Sequence, residues 1–317
     1  MDFSRIQNNR GEITYVRLND EGVFKTCFLN NSSGWMALDF NGGTLLQNYS
    51  SDFALISNNM SRVTVGTKGG VIGATGSFVA HVQKGIVPFP GLEGTDGGVT
   101  ISNAAATGVV RLYGVNTYAG PTTVKTGAIE LVGDGLLSPN SRLILTGGKI
   151  VVTNRQQTVA GFTLGQTASG TTEEFRFTKT MPLIVTADIK LKGSPELTIV
   201  PLESDGSVST TVGDYTVMIA PIAQKQMLEA MTVRCKAPNL SSEFFNVVED
   251  GDNVKLVIQT TDPGLDPVDP NYGYWTNPAG GEWMTATNWE DGNIAESYDM
   301  HALFLTAAQD GGATVSV

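Results

Sequence analysis

From Glu12 to Tyr49 apolar and polar residues alternate in short runs, ITYVRL, VFKTCFL, WMALDF and TLLQNY, separated by NDEG, NNSSG and NGG. Alternation with a period of two places every second side chain on one face. Runs bounded by Gly, Asn, Asp and Ser end in turns, so the pattern predicts short strands with one buried face. The same grammar continues through SRVTVGTKGGVIGA, GGVTISN, GVVRLYG, TTVKTG, AIELVG, SRLILTGG and KIVVTN. Such a march of strands suits a β-sandwich or a β-solenoid. Similar strand and turn units follow one another without the long crossovers of a Greek key. They recur at roughly 20 residues, the length one solenoid coil requires, which favours the solenoid.

Interruptions divide the chain. In FVAHVQKGIVPFPGLEGTDGG, Pro88 and Pro90 break any ladder and predict a loop or bulge projecting from the stack. After about Thr171 the strands lengthen and glycines thin out, as in EEFRFTKTMPLIVTADIKLKGSPELTIVPL and VGDYTVMIAP. Pro221 to Met231, PIAQKQMLEAM, is the one good helix, with proline at its start and strong helix formers behind it. FFNVVEDGDNVKLVIQTT reads as a hairpin turning at Asp250 to Asn253. DPGLDPVDPN is Pro- and Asp-rich without a buried pattern and reads as a linker. The expected organisation is therefore a solenoid over 1–165, a β-rich closing section with one short helix over 166–262, a linker over 263–273 and a partial Trp-rich β module over 274–317.

Composition agrees with an all-β chain. Among 317 residues, 37 are glycine and only 16% are charged, which favours tight turns over helices, while 41% hydrophobic residues supply a sizeable core. The net charge of −11 argues against nucleic acid or an anionic membrane as a partner, since both need clustered Lys and Arg. Cys27 and Cys235 are too few and too far apart for a disulfide framework or zinc spacing, and read as two buried thiols. Such sparing use of cysteine suits either the cytosol or an extracellular bacterial protein. MDFSRIQNNRGEITYVRL lacks the cationic and apolar segments of a secretory signal, and no stretch is long enough to span a membrane. Strand-like sequence at both ends suggests a piece of a longer chain.

Gly114 to Gly133, GVNTYAGPTTVKTGAIELVG, closely resembles the autotransporter-associated β-strand repeat. Asn116, Thr117, Tyr118, Gly120, Thr122, Thr123, Val124, Gly127 and Leu131 stand at matching places, whereas Pro121 and Ile129 depart mildly. LDFNGGTLLQ, SRVTVGTKGGVI and GLLSPNSRLILTGGKI are phrases typical of proteins with such repeats, so the likeness covers most of residues 12 to 165. GDYTVMIA resembles the closing part of a module and the tryptophan-rich segment the opening of the next. There, Ala295 and Glu296 stand where a proline is common, which weakens the match. The resemblance implies a right-handed parallel β-helix in a large bacterial surface or secreted protein, not an enzyme. Val124, Ile129, Leu131, Leu143, Leu145, Ile150 and Val152 would then stack inward, with Asn116 and Asn140 as turn residues.

The reactive inventory is thin. His81 and His301 have no neighbour at metal-ligand spacing and read as surface residues. Glu173 and Glu174, Asp250 and Asp252, and Glu290 and Asp291 are possible glycosidase carboxylates or calcium ligands, but turn composition explains them better. No catalytic residue, cofactor or metal is expected. The rival to a structural role is polysaccharide binding or degradation, for which Arg111, Tyr113 and Tyr118 offer a fragment of a sugar platform. The third reading is self-assembly, because a solenoid has open ends. Trp275, Trp283, Trp289 and Phe304 either pack in an intermolecular contact or fold back on their own chain. The expectation is a non-enzymatic extracellular or bacterial cell-surface stalk, adhesin or filament subunit. Its partners would be other copies of itself, other surface components or glycans.

Overall fold

The computed structural model describes residues 2–3, 6–49, 53–165, 173–209, 214–236, 245–258, 272–275, 281–282, 285, 301–304 and 315–316. The chain divides into two compact units, Met1–Thr260 and Thr261–Val317. The first is a β-solenoid. Asp2–Phe3, Val23–Thr26, Thr44–Gln47, Gly70–Ala74, Val99–Ser102, Thr122–Thr126, Arg142–Leu145, Gln157–Gly165, Leu183–Lys192 and Tyr215–Pro221 lie side by side, each parallel to the one before. A second sheet runs from Val79–Val82 through Val109–Leu112, Ala128–Leu131, Lys149–Val152, Glu173–Thr178 and Glu196–Leu202 to Thr232–Cys235. Single bridges through Ile56 link it back to Leu29–Asn31 and Ile6–Asn8.

Register explains the core. Phe24, Leu45, Ile72, Ile101, Val124, Leu145 and Leu164 stand directly above one another in the first sheet, and all are buried. Across from them Ala80, Val110, Ile129, Ile150, Phe175 and Ile199 form a matching column. All seven residues expected to point inward are at most 2% exposed. The period-two pattern fixes this, because a slip of one residue would put each column on the solvent side.

A third sheet, Ile13–Asn19, Trp35–Asn41, Arg62–Val65 and Val87–Pro88, walls only the first windings. It stops at Pro88, whose missing N–H suits an edge position. The loop beyond it folds back: Phe89 donates its N–H to Val65 O, and buried Asp96 accepts from the N–H groups of Gly98, Ala119 and Gly120 at 2.7 to 3.0 Å.

The parallel ladders run on past residue 165. Gln157–Gly165 pairs along most of its length with Leu183–Lys192, and Glu173–Thr178 pairs with Glu196–Leu202. The longer strands that break the glycine-rich grammar are therefore further windings. The expected helix is one turn of 3-10 helix, Ile222–Gln224, followed by Lys225–Glu229. The hairpin of Phe245–Asp250 and Asn253–Ile258 lies antiparallel on Tyr215–Pro221 and closes the first sheet. Cys27 and Cys235 are half-buried rather than enclosed, because each sits near a strand end.

Buried amides stitch the turns. Asn116, read from sequence as a turn residue, accepts from Ile86 N at 2.9 Å and donates to Leu136 O at 2.6 Å, so it joins the windings on either side of its own. Asn103 does the same between Ala74 and Thr126, and Gln157 reaches Leu137 and Gly135. Asn140 lies exposed in its turn.

In the second unit Tyr272–Trp275 pairs in parallel with His301–Phe304, and Gly281–Glu282 with Val315–Ser316. The linker expected over 263–273 lies almost wholly outside the described residues.

Candidate functional site

Side chains on the outer faces are set by the same register as the core. In the third sheet the outward row Arg17, Asp39, Thr64 runs across three strands, beside the row Tyr15, Ala37, Arg62. Asp39 is buried between both arginines, 3.3 Å from Arg17 Nη2 and 3.4 Å from Arg62 Nη2, and accepts from the Thr64 hydroxyl. The Arg62 guanidinium sits 5.5 Å from the ring centres of both Trp35 and Phe89, and Arg17 lies 5.8 Å from Phe89. Tyr15 adds an edge at 4.8 Å from Trp35. A cleft of about 370 Å³ opens between Arg17, Asn41 and the loop residues Phe89, Pro90 and Leu92. Both Asp39 oxygens are engaged within the protein. Through the two arginines it orients, which lie over the Phe89 ring, the cluster ties the sheet to the loop.

The fold removes Tyr118 from the sugar-platform fragment offered by the sequence and leaves Arg111 and Tyr113 in contact at the surface. Tyr118 is fully buried, its hydroxyl 2.8 Å from Thr122 Oγ1, and burial pushes its pKa well up. Arg111 donates to Glu130 at 2.5 Å on the next winding. Tyr113 stays at the surface, stacked on His81 with its hydroxyl 2.8 Å from His81 Nδ1. His81 is thus a surface residue facing Tyr113 and standing opposite Arg111 in register.

The acidic pairs do not converge either. Glu174 is held by Arg176 and, at 3.7 Å, by Lys149. Its neighbour Glu173 is buried, and that burial pushes its pKa up. Asp250 pairs with Lys255 at 2.6 Å beside the Gly251 turn. Glu290 and Asp291 lie outside the described residues. Among the described residues no three His, Cys, Asp or Glu side chains are grouped to hold a metal ion.

Of the four aromatic residues expected at an assembly contact, Trp275 and Phe304 stand opposite each other in paired strands. Trp283 and Trp289 lie outside the described residues. Sequence reading missed the Arg17, Asp39, Arg62 cluster because its members are 22 and 23 residues apart, and that spacing becomes informative only once the winding length is known.

No family model, curated protein or solved structure matches this chain. No helix among the described residues is long and apolar enough to cross a membrane.

Proposed function

We propose that this chain is a non-enzymatic structural module of an extracellular or bacterial-surface protein, a stalk, adhesin or filament segment built from solenoid windings. One observation carries it: five ion pairs between outward charged residues tie winding to winding along the stack. Arg111 pairs with Glu130, Lys149 with Glu174, Arg155 with Asp134, Arg234 with Glu196 and Arg142 with Asp188, every pair joining different windings. Each such pair contributes little alone, about 0 to 1 kcal/mol, but repeated along a rod they oppose shear between coils. The resemblance of Gly114 to Gly133 to the autotransporter-associated repeat supports the surface location.

Two measurements test the reading. Electron microscopy of the purified chain should show rods or end-to-end fibres, and uniform monomers at high concentration would remove the filament role. Incubation with acidic and neutral polysaccharides should release no reducing or unsaturated ends; release would replace the structural reading with an enzymatic one.

A further inference from the structure

The first windings carry a second outer feature, along the corner that follows the second sheet. The core-side residues Ile6, Leu29, Ile56, Val82 and Leu112 stand one above another. The residue after each is therefore also in register, which gives an outward row of Gln7, Asn30, Ser57, Gln83 and Tyr113. None of the five carries a formal charge, on a protein whose net charge is −11.

Two depressions lie along this row and share Gln83 as a common wall. One, of about 460 Å³, is lined by Gln7, Asn30 and Ser57 with Phe28 and Phe53. The other, of about 760 Å³, continues past Gln83 to Tyr113, with Lys84 and Asp134 at its rim. Gly85 and Gly114 face this second depression. A Cβ on either would strike backbone of the neighbouring winding, at 2.1 and 2.3 Å, so the two windings can stack this closely only with glycine at both places.

The groups along the trough are arranged in advance of any ligand. Gln7 and Asn30 both donate to the Ser32 hydroxyl, at 2.7 and 3.1 Å, and Gln83 Oε1 accepts from Asn58 N at 3.3 Å. Each amide spends one end on the protein and leaves the other without a partner among the described residues. Phe53 is 64% exposed and leans on Phe28, ring centres 5.2 Å apart. At the other end the Tyr113 ring is fixed by His81.

We propose that this trough binds an extended, uncharged polysaccharide lying parallel to the solenoid axis. A sugar ring offers an apolar face of C–H groups to an aromatic ring and hydroxyls that both donate and accept, which amides match in either sense. Main-chain stacking sets the step of the row at about 4.8 Å, close to the length of one ring in an extended glycan, so each successive sugar meets one uncharged polar or aromatic side chain. Fixed amides and rings lose little freedom on binding. A peptide is disfavoured as occupant, because the windings under the row already pair with one another and offer no open strand edge for β-addition. An acidic glycan is disfavoured because the row itself is uncharged and Lys84, the cation on the lining, shares it with the carboxylate of Asp134.

The test is calorimetric titration of the whole chain with the hexasaccharides of cellulose, chitin, xylan and mannan, and with an alginate hexamer. At least one neutral hexamer should bind, with affinity rising with oligosaccharide length up to a span of about 19 Å, the four coil steps from Gln7 to Tyr113. Phe53→Ala and Gln83→Ala should each weaken binding about tenfold. Thr123→Ala, on the first sheet, should leave it unchanged. Phe53 is exposed, so its replacement keeps the fold, which circular dichroism checks. Failure of all four neutral hexamers overturns the proposal. So does salt-sensitive binding of alginate alone, or binding that survives both substitutions. The proposed structural role fails separately, on release of sugar ends.

Discussion

Arg142 reaches Asp188 two windings away by lying across Gly161, the residue that stands between them in register. A Cβ on Gly161 would come within 2.6 Å of the Arg142 guanidinium carbon. Burial raises the Asp188 pKa, but hydrogen bonds from Arg142 and Lys190 outweigh it and hold the carboxyl below its usual range. That stabilisation is present above the unfolded carboxyl value, about 3.9, and is lost as pH falls through the lower folded value. Asp188 is more than a third exposed, so solvent screens the pair. Gly161→Ala should cost about 1 kcal/mol in urea unfolding at pH 7. The gap from wild type should narrow below about pH 4.

Asn116→Ala should cost far more than Asn140→Ala. The first removes the partner of the buried Ile86 N–H and one donor to Leu136 O, and should destabilise by about 2 to 3 kcal/mol. The second changes an exposed turn and should stay within about 0.5 kcal/mol. Paired thermal melts decide it, and equal losses would mean that the buried bridge is not what holds those windings.

Tyr118 should make the protein sensitive to alkali. Burial raises its folded pKa above the unfolded value of about 10, so above that pH the unfolded chain sheds a proton that the folded chain keeps. Stability then falls as pH rises past about 10. Tyr118→Phe should flatten that decline while costing about 1 kcal/mol at neutral pH, through loss of the Thr122 hydrogen bond. Urea midpoints measured from pH 8 to 11 read both effects.

The closing hairpin should keep the solenoid from sticking to itself. Val254 is fully buried, between Ala220 and Glu249 in register. Val254→Asp places an unpaired carboxyl there at a cost of about 3 kcal/mol and should undock the hairpin. The bared strand Tyr215–Pro221 is a template for pairing. Sedimentation velocity should show Val254→Asp forming larger species than the unaltered chain at the same concentration.

Much of the fold was legible because inward and outward residues alternate wherever a strand has one dry face: Val124, Leu145 and Ile150 are found where the pattern put them. The boundary near 165 was misleading, because Gln157–Gly165 and Leu183–Lys192 form longer strands with longer connections yet keep the same parallel pairing. Sequence offers Arg111, Tyr113 and Tyr118 together, with a core or coil-edge role the better reading; Tyr118 takes the core role, while Tyr113, five residues earlier, faces out. The trough residues Gln7, Asn30, Ser57 and Gln83 were invisible for another reason. Polar side chains at unequal spacing carry no periodic signal, and only the bridges through Ile56 bring them into one row.

Because main-chain pairing joins each winding only to the one below and the one above, a whole winding between Thr122 and Arg142 can be copied in place without disturbing the cap. The molecule's length is thereby free to change in whole-coil increments under selection. Its binding face and its terminus can be inherited unaltered.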